Sequence, residues 1–133
     1  AAHTTSDLLF KGALKERSRS VWQGMIYVAP GAQQTDGYQA NRNLVLSSNA
    51  RADSIPGLEI LADDVRCSHG ATIGKLDEDE LFYLQTRGIP RVEAEQLIIE
   101  GFFGEITAQV PIAELQSEIT EIIKARFELA VQR

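Results

Sequence analysis

A single cysteine occurs among the 133 residues, so no disulfide can close within the chain. That usage fits a reducing compartment, and a cytoplasmic location is the expectation. No apolar run approaches the ~18 residues of a membrane-spanning helix, so no membrane partner is expected. Phosphate-cradling loops are missing as well: there is no Gly-x-x-x-x-Gly-Lys-Ser/Thr, and no Gly-x-Gly-x-x-Gly follows a strand-like run. Clustered basic residues are also lacking, and 13 Lys and Arg against 19 Asp and Glu give a net charge of −6, which excludes a general nucleic-acid binder. The opening Ala1-Ala2-His3-Thr4-Thr5-Ser6-Asp7 has neither the basic nor the apolar region of a signal peptide, and the missing Met suggests a processed or excised piece. His3, in this polar stretch, carries no expected role.

What is present is an ordinary soluble composition, 44% hydrophobic and 24% charged, of a length that suits one compact domain in two parts. Charge divides those parts. Residues 1–76 carry eight basic and seven acidic side chains, whereas residues 77–133 carry five and twelve. The hydrophobic period changes at the same place. Before Asp77 come short strand-like runs at residues 8–10, 20–28, 44–47 and 58–61, separated by Gly, Pro, Asn, Asp and Ser. The run 21–28 does not alternate cleanly, and Asp36-Gly37 is the one two-residue hairpin signal, so the turns are not those of tight hairpins. A stack of parallel rungs fits this pattern, and so does a sandwich or a barrel.

After Gly74 the pattern is helical. Asp77 is the expected N-cap, with Glu80 three residues on and acids filling the positive first turn. Arg87-Gly88 ends that helix, and Pro90 opens a second, with Ala94, Leu97, Ile98 and Phe102 on one stripe and an end near residues 101–104. A third helix is expected from Pro111, showing Ile112, Leu115, Ile119, Ile122 or Ile123, and Phe127. These stripes suit a small core, and some of their apolar surface is available to a partner.

The chemistry-bearing residues are Cys67 and His69, the only cysteine and the only histidine away from the N-terminus. Two residues apart on a strand, they project from the same face. Both are good ligands for iron or zinc, and a shared ion is geometrically accessible to them. Two ligands do not complete a site, since iron–sulfur clusters take about four. The plain alternative is a small buried cysteine and a hydrogen-bonded histidine. A hydrolytic Cys-His dyad is disfavoured, because neighbours on one strand align poorly for proton transfer and no orienting group or oxyanion loop accompanies them. Asp63-Asp64, just before, reads as a solvated turn or as an iron-recruiting pair.

The run from Leu58 through Ala62-Asp63-Asp64-Val65-Arg66-Cys67-Ser68-His69-Gly70-Ala71-Thr72 to Leu81-Phe82-Tyr83-Leu84-Gln85-Thr86-Arg87-Gly88-Ile89 closely resembles the C-terminal region of the SufB/SufD family, scaffold subunits of the SUF iron–sulfur cluster assembly system. Phe10-Lys11-Gly12, Gln33-Gln34-Thr35-Asp36-Gly37-Tyr38-Gln39-Ala40-Asn41-Arg42-Asn43-Leu44 and Ser54-Ile55-Pro56-Gly57 extend the likeness over roughly residues 8–105, and Cys67-Ser68-His69-Gly70 is similar to the SufD branch. The resemblance implies a mainly β fold, the terminal rungs of a right-handed parallel β-helix over residues 1–76, followed by a C-terminal α-helical subdomain over residues 77–133. It implies a non-catalytic subunit. The SufC-type ABC ATPase would dock through residues of about 77–105, and a SufB-type paralogue, or a second copy, would pair at the β-helix end. His69, with Cys67 in support, would lie at that pairing and handle iron or a transient iron–sulfur cluster completed by the partner. The competing functions are a β-solenoid enzyme or carbohydrate-binding module, for which no hexapeptide repeat or cross-rung acid–base cluster is visible, and a metal-free dimerisation piece.

Overall fold

Five strands of ten residues each come first: β1 (Thr5–Leu14), β2 (Arg19–Val28), β3 (Asp36–Val45), β4 (Arg51–Ile60) and β5 (Arg66–Lys75). Three helices follow: α1 (Glu78–Thr86), α2 (Arg91–Thr107) and α3 (Ala113–Val131). This computed structural model describes residues 1–131, with side chains described for residues 1–127. The chain separates into two compact units, Ala1–Lys75 and Leu76–Arg133.

All strand pairing is parallel. One sheet has the order β1-β3-β5 and the other β2-β4, so each strand pairs with the next but one in sequence. The register is unbroken across both ladders: Thr5 faces Asp36, which faces Arg66, and Arg19 faces Arg51. Parallel strands need crossover connections rather than hairpins, which is why tight-turn signals are scarce here. The turns are tied to one another along the stacking direction. The Asp36 amide donates to the Thr4 carbonyl and the Arg66 amide to the Thr35 carbonyl, each at 2.9 Å, while the Thr4 and Thr35 hydroxyls meet at 2.9 Å.

The strands are longer than the apolar runs that announce them. Residues 36–43 read as loop because they are polar, yet Gln39, Asn41 and Asn43 are buried on β3. They are bonded to each other or across the interior: Asn43 donates to Asn41 at 2.6 Å, Ser54 on β4 donates to the Asn41 carbonyl oxygen, and Gln39 donates to the Gly57 carbonyl at 3.1 Å. Burial of such groups is tolerated because each is satisfied. Residues 44–47, expected as a strand of their own, hold only the end of β3.

On β2 burial alternates strictly, with Trp22, Gly24, Ile26 and Val28 inward. The unclean sequence alternation arises because the outward face is apolar too, where Val21, Met25 and Tyr27 are exposed.

In the helical unit, Asp77 caps α1, accepting from the Asp79 and Glu80 amides, and Gly88 takes φ +85°, as the left-handed residue after α1 should. Leu81 and Ala94 have no exposed surface, and Ile99 and Phe127 are also buried. The second helix does not end near Gly101: it continues through both glycines to Thr107. Two isolated glycines cost only about 1 kcal/mol each in a helix, less than the packing they accompany contributes. Its buried stripe also differs from expectation, because Leu97 is exposed whereas Ile99 is covered. The third helix begins at Ala113, leaving Ile112 exposed outside it. No helix among the described residues is long and apolar enough to cross a membrane.

Candidate functional site

Cys67 and His69 lie on β5, two residues apart, and the direction of their face is fixed by a neighbour. Gly37 on β3 is the register partner of Cys67, and a Cβ built on Gly37 would lie 3.2 Å from the Cys67 Sγ and 3.6 Å from Ile26 on the opposite sheet. The Cys67 thiol therefore turns toward the second sheet and lies over the bare backbone of Gly37. His69 follows on the same side, in register with Gln39. Cys67 is half-buried and His69 exposed.

The exposure of His69 follows from strand order. Among the described residues β5 pairs only with β3, so its other edge is unpaired and the inward-facing row Cys67, His69, Ala71, Ile73 is uncovered by any further strand. Leu58 and Ile60, the inward residues at the end of β4, are exposed for the same reason. On the opposite side of β5, the Tyr38 hydroxyl comes within 3.1 Å of where a Gly70 Cβ would sit, so a side chain there would push the tyrosine tip aside by a few tenths of an ångström.

Two donors of different softness thus share a rim, a thiol and an imidazole, suited to iron or zinc. Among the described residues no group of three or more His, Cys, Asp and Glu side chains gathers closely enough to hold an ion. Asp63 and Asp64 form the exposed turn before β5, where the Gln33 side-chain carbonyl accepts from the Asp64 amide at 2.9 Å. They are not brought into a cluster with Cys67 and His69. His3 is exposed, at φ 57° before β1.

Elsewhere in the β unit Asp53 lies between Arg19 at 3.0 Å and Arg51 at 2.9 Å. The hydrogen bond from Arg51 holds its carboxyl below the usual aspartate range, with Arg19 adding to the effect. This is an exposed three-residue lattice joining β2 to β4. In the helical unit Arg91 forks onto Glu78 at 3.1 and 3.0 Å and also reaches Glu95 at 3.0 Å, tying α1 to α2.

Sequence reasoning missed the buried polar row that begins beneath His69 and runs on along β3. Its signal was the period-two series Gln39, Asn41, Asn43, thirty residues before His69, Ala71 and Ile73 and in phase with them. Without the register, such a series is indistinguishable from a polar loop.

The comparisons with known proteins agree with one another. The family model described as "SUF system FeS cluster assembly, SufBD core domain" matches residues 1–102. A protein of Synechocystis described as an iron–sulfur cluster assembly SufBD family protein is 44% identical over 124 residues, covering 93% of this chain and 27% of that protein. The iron–sulfur cluster assembly protein SufD of Escherichia coli is 42% identical over 119 residues, covering 90% of this chain and 28% of its own length. The chloroplastic protein ABCI7 of Arabidopsis thaliana is 40% identical over 106 residues, 80% of this chain and 22% of that one. The chain spans about a quarter of the length of these relatives.

Proposed function

The chain belongs to the SufB/SufD family of the SUF iron–sulfur cluster assembly system, and from that premise we propose that it serves as a non-catalytic, SufD-like subunit in which His69, supported by Cys67, handles iron or a nascent cluster at a subunit boundary. The observation that carries this reading is the placement of both donors on one face of a strand whose outer edge has no described partner. An unpaired strand edge presents a row of free amides and carbonyls to a second chain. A second chain is also what the ligand count demands, because two donors leave a cluster roughly half coordinated.

In this reading the parallel strands are the last rungs of a right-handed β-helix, and a SufB-type paralogue or a second copy pairs at the rung that β5 forms. The helical residues of about 77–105 receive the SufC-type ABC ATPase, whose nucleotide-driven movement alters the pairing and admits iron and sulfide. The cluster is cargo, held in the assembled complex and passed on. Such a complex works in the cytoplasm or in a plastid stroma.

Coexpression of the full-length protein with its paralogue and ATPase tests the assignment. His69→Ala is expected to leave assembly of the complex intact and to remove most of its iron and acid-labile sulfide. Wild-type cluster content in that variant would reject the role given to His69.

A further inference from the structure

Gln39 is the most deeply buried polar side chain among the described residues, 2% exposed, at a place where an apolar residue would suffice. The same register position on β1 is Leu8, so the row Leu8, Gln39, His69 does not demand an amide for packing. The amide is nevertheless bonded. Its Nε2 donates to the Gly57 carbonyl on β4 at 3.1 Å. Its Oε1 occupies space that only a glycine leaves, because a Cβ on Gly24 of β2 would come within 2.5 Å of that oxygen. One side chain therefore ties β3 to β4 and seats against β2.

The next member of the row is the candidate ligand. Parallel neighbours in register stand ~4.8 Å apart with side chains pointing the same way, so the glutamine side chain forms the floor beside the His69 imidazole. No described strand pairs with the other edge of β5, which is hydrogen-bonded to β3 alone. The imidazole thus takes its strand support from β3, and the bond from Gln39 to Gly57 adds a tie from β3 at that level to the opposite sheet. We propose that Gln39 is a positioning residue for His69, holding the strand beneath it at a fixed spacing from the opposite sheet so that the imidazole is presented at one height and angle to an incoming metal ion. The inference rests on the reading of His69 as an iron-handling residue.

The test is anaerobic titration of Co2+, a spectroscopic stand-in for Fe2+, into the complex of the full-length protein with its paralogue. The His69 contribution is defined as the ligand-field absorption lost in His69→Ala. Gln39→Leu fills the space without the donor, and Gln39→Met keeps its length. Either variant is expected to weaken Co2+ binding about 10-fold, the size of loss typical when the support of a ligand is removed, and to shift the ligand-field band. The double variant with His69→Ala is expected to bind no more weakly than His69→Ala alone. A purely structural glutamine would lower thermal stability, leave the band of the folded complex unmoved, and add its loss to that of His69→Ala. Either of those last two results overturns the proposal, as does failure of both Gln39 variants to assemble, which would make the residue a core element only. If His69→Ala itself leaves Co2+ binding unchanged, the role of His69 falls and the positioning role falls with it. If His69→Ala abolishes the band and the Gln39 variants retain it in full, only the positioning role is lost.

Discussion

Gly24 shows how much a single missing methyl group decides in this interior. A Cβ there would approach the Trp22 ring to 2.4 Å and the Gln39 oxygen to 2.5 Å, both closer than any real contact. Trp22 is packed against Phe10 with ring centroids 5.5 Å apart, and Gln39 is held by Gly57, so neither neighbour moves freely. Overpacking of this kind costs about 1–3 kcal/mol. Gly24→Ala is therefore expected to lower the unfolding free energy of the β unit by that amount, seen as a lower urea midpoint, while Gly31→Ala, with nothing near its Cβ, is expected to leave the midpoint unchanged. Equal midpoints for the two variants would contradict the crowding. The same residue-scale logic limits what was legible in advance. Cys67 and His69 could be placed on one face from their spacing alone, because a strand has period two. Gln39 could not be placed, since its meaning depends on Gly24 and Gly57, which are fifteen residues before it and eighteen after it and become neighbours only through the parallel register.

At the scale of elements, the two ends of α1 were readable and strand extents were not, for a physical reason. A helix end is a local event: Asp77 is bonded to amides two and three residues away, and Gly88 satisfies a backbone angle within its own residue. Asp77→Ala is accordingly expected to cost about 1 kcal/mol in the helical unit, with little effect on the β unit, as followed by helix-specific amide exchange. A parallel strand is held by partners thirty residues away, so the polar half of β3 carries no local mark of its strand state. The join between α1 and α2 adds a pH dependence. The Arg91 fork holds the Glu78 carboxyl below its ordinary value near 4.5, so the folded state binds fewer protons there than the unfolded state. That stabilisation is present above the ordinary value and is lost as pH falls through the lowered one. Glu78→Gln is thus expected to be less stable than the parent protein at pH 7 and equal to it below the range in which Glu78 takes up its proton. A stability gap that persists unchanged into strong acid would show that the pair contributes nothing through its charge.

Across the whole molecule the charge boundary, the change of period and the division at Lys75 and Leu76 fall together, and under the proposed function the two units have separate work. The β unit carries the donor pair and an unpaired strand edge, whereas the helical unit carries twelve acids against five bases and exposes Phe82, Val92 and Leu97. Exposed apolar side chains rimmed by charge suit a protein partner. If the ATPase docks on the helices and the paralogue on the strand edge, single substitutions should separate the two associations. Phe82→Asp, at a residue 68% exposed and outside the helical core, is expected to leave folding and paralogue pairing intact and to remove the ATPase from the purified complex. His69→Ala is expected to keep both the ATPase and the paralogue while losing iron. Copurification with each variant, read alongside iron content, checks both at once. Retention of the ATPase by Phe82→Asp at wild-type stoichiometry would move its docking site off this face of α1. Joint loss of ATPase and iron in His69→Ala would instead mean that the two units do not work apart, because a change confined to the strand rim would then have reached the helices.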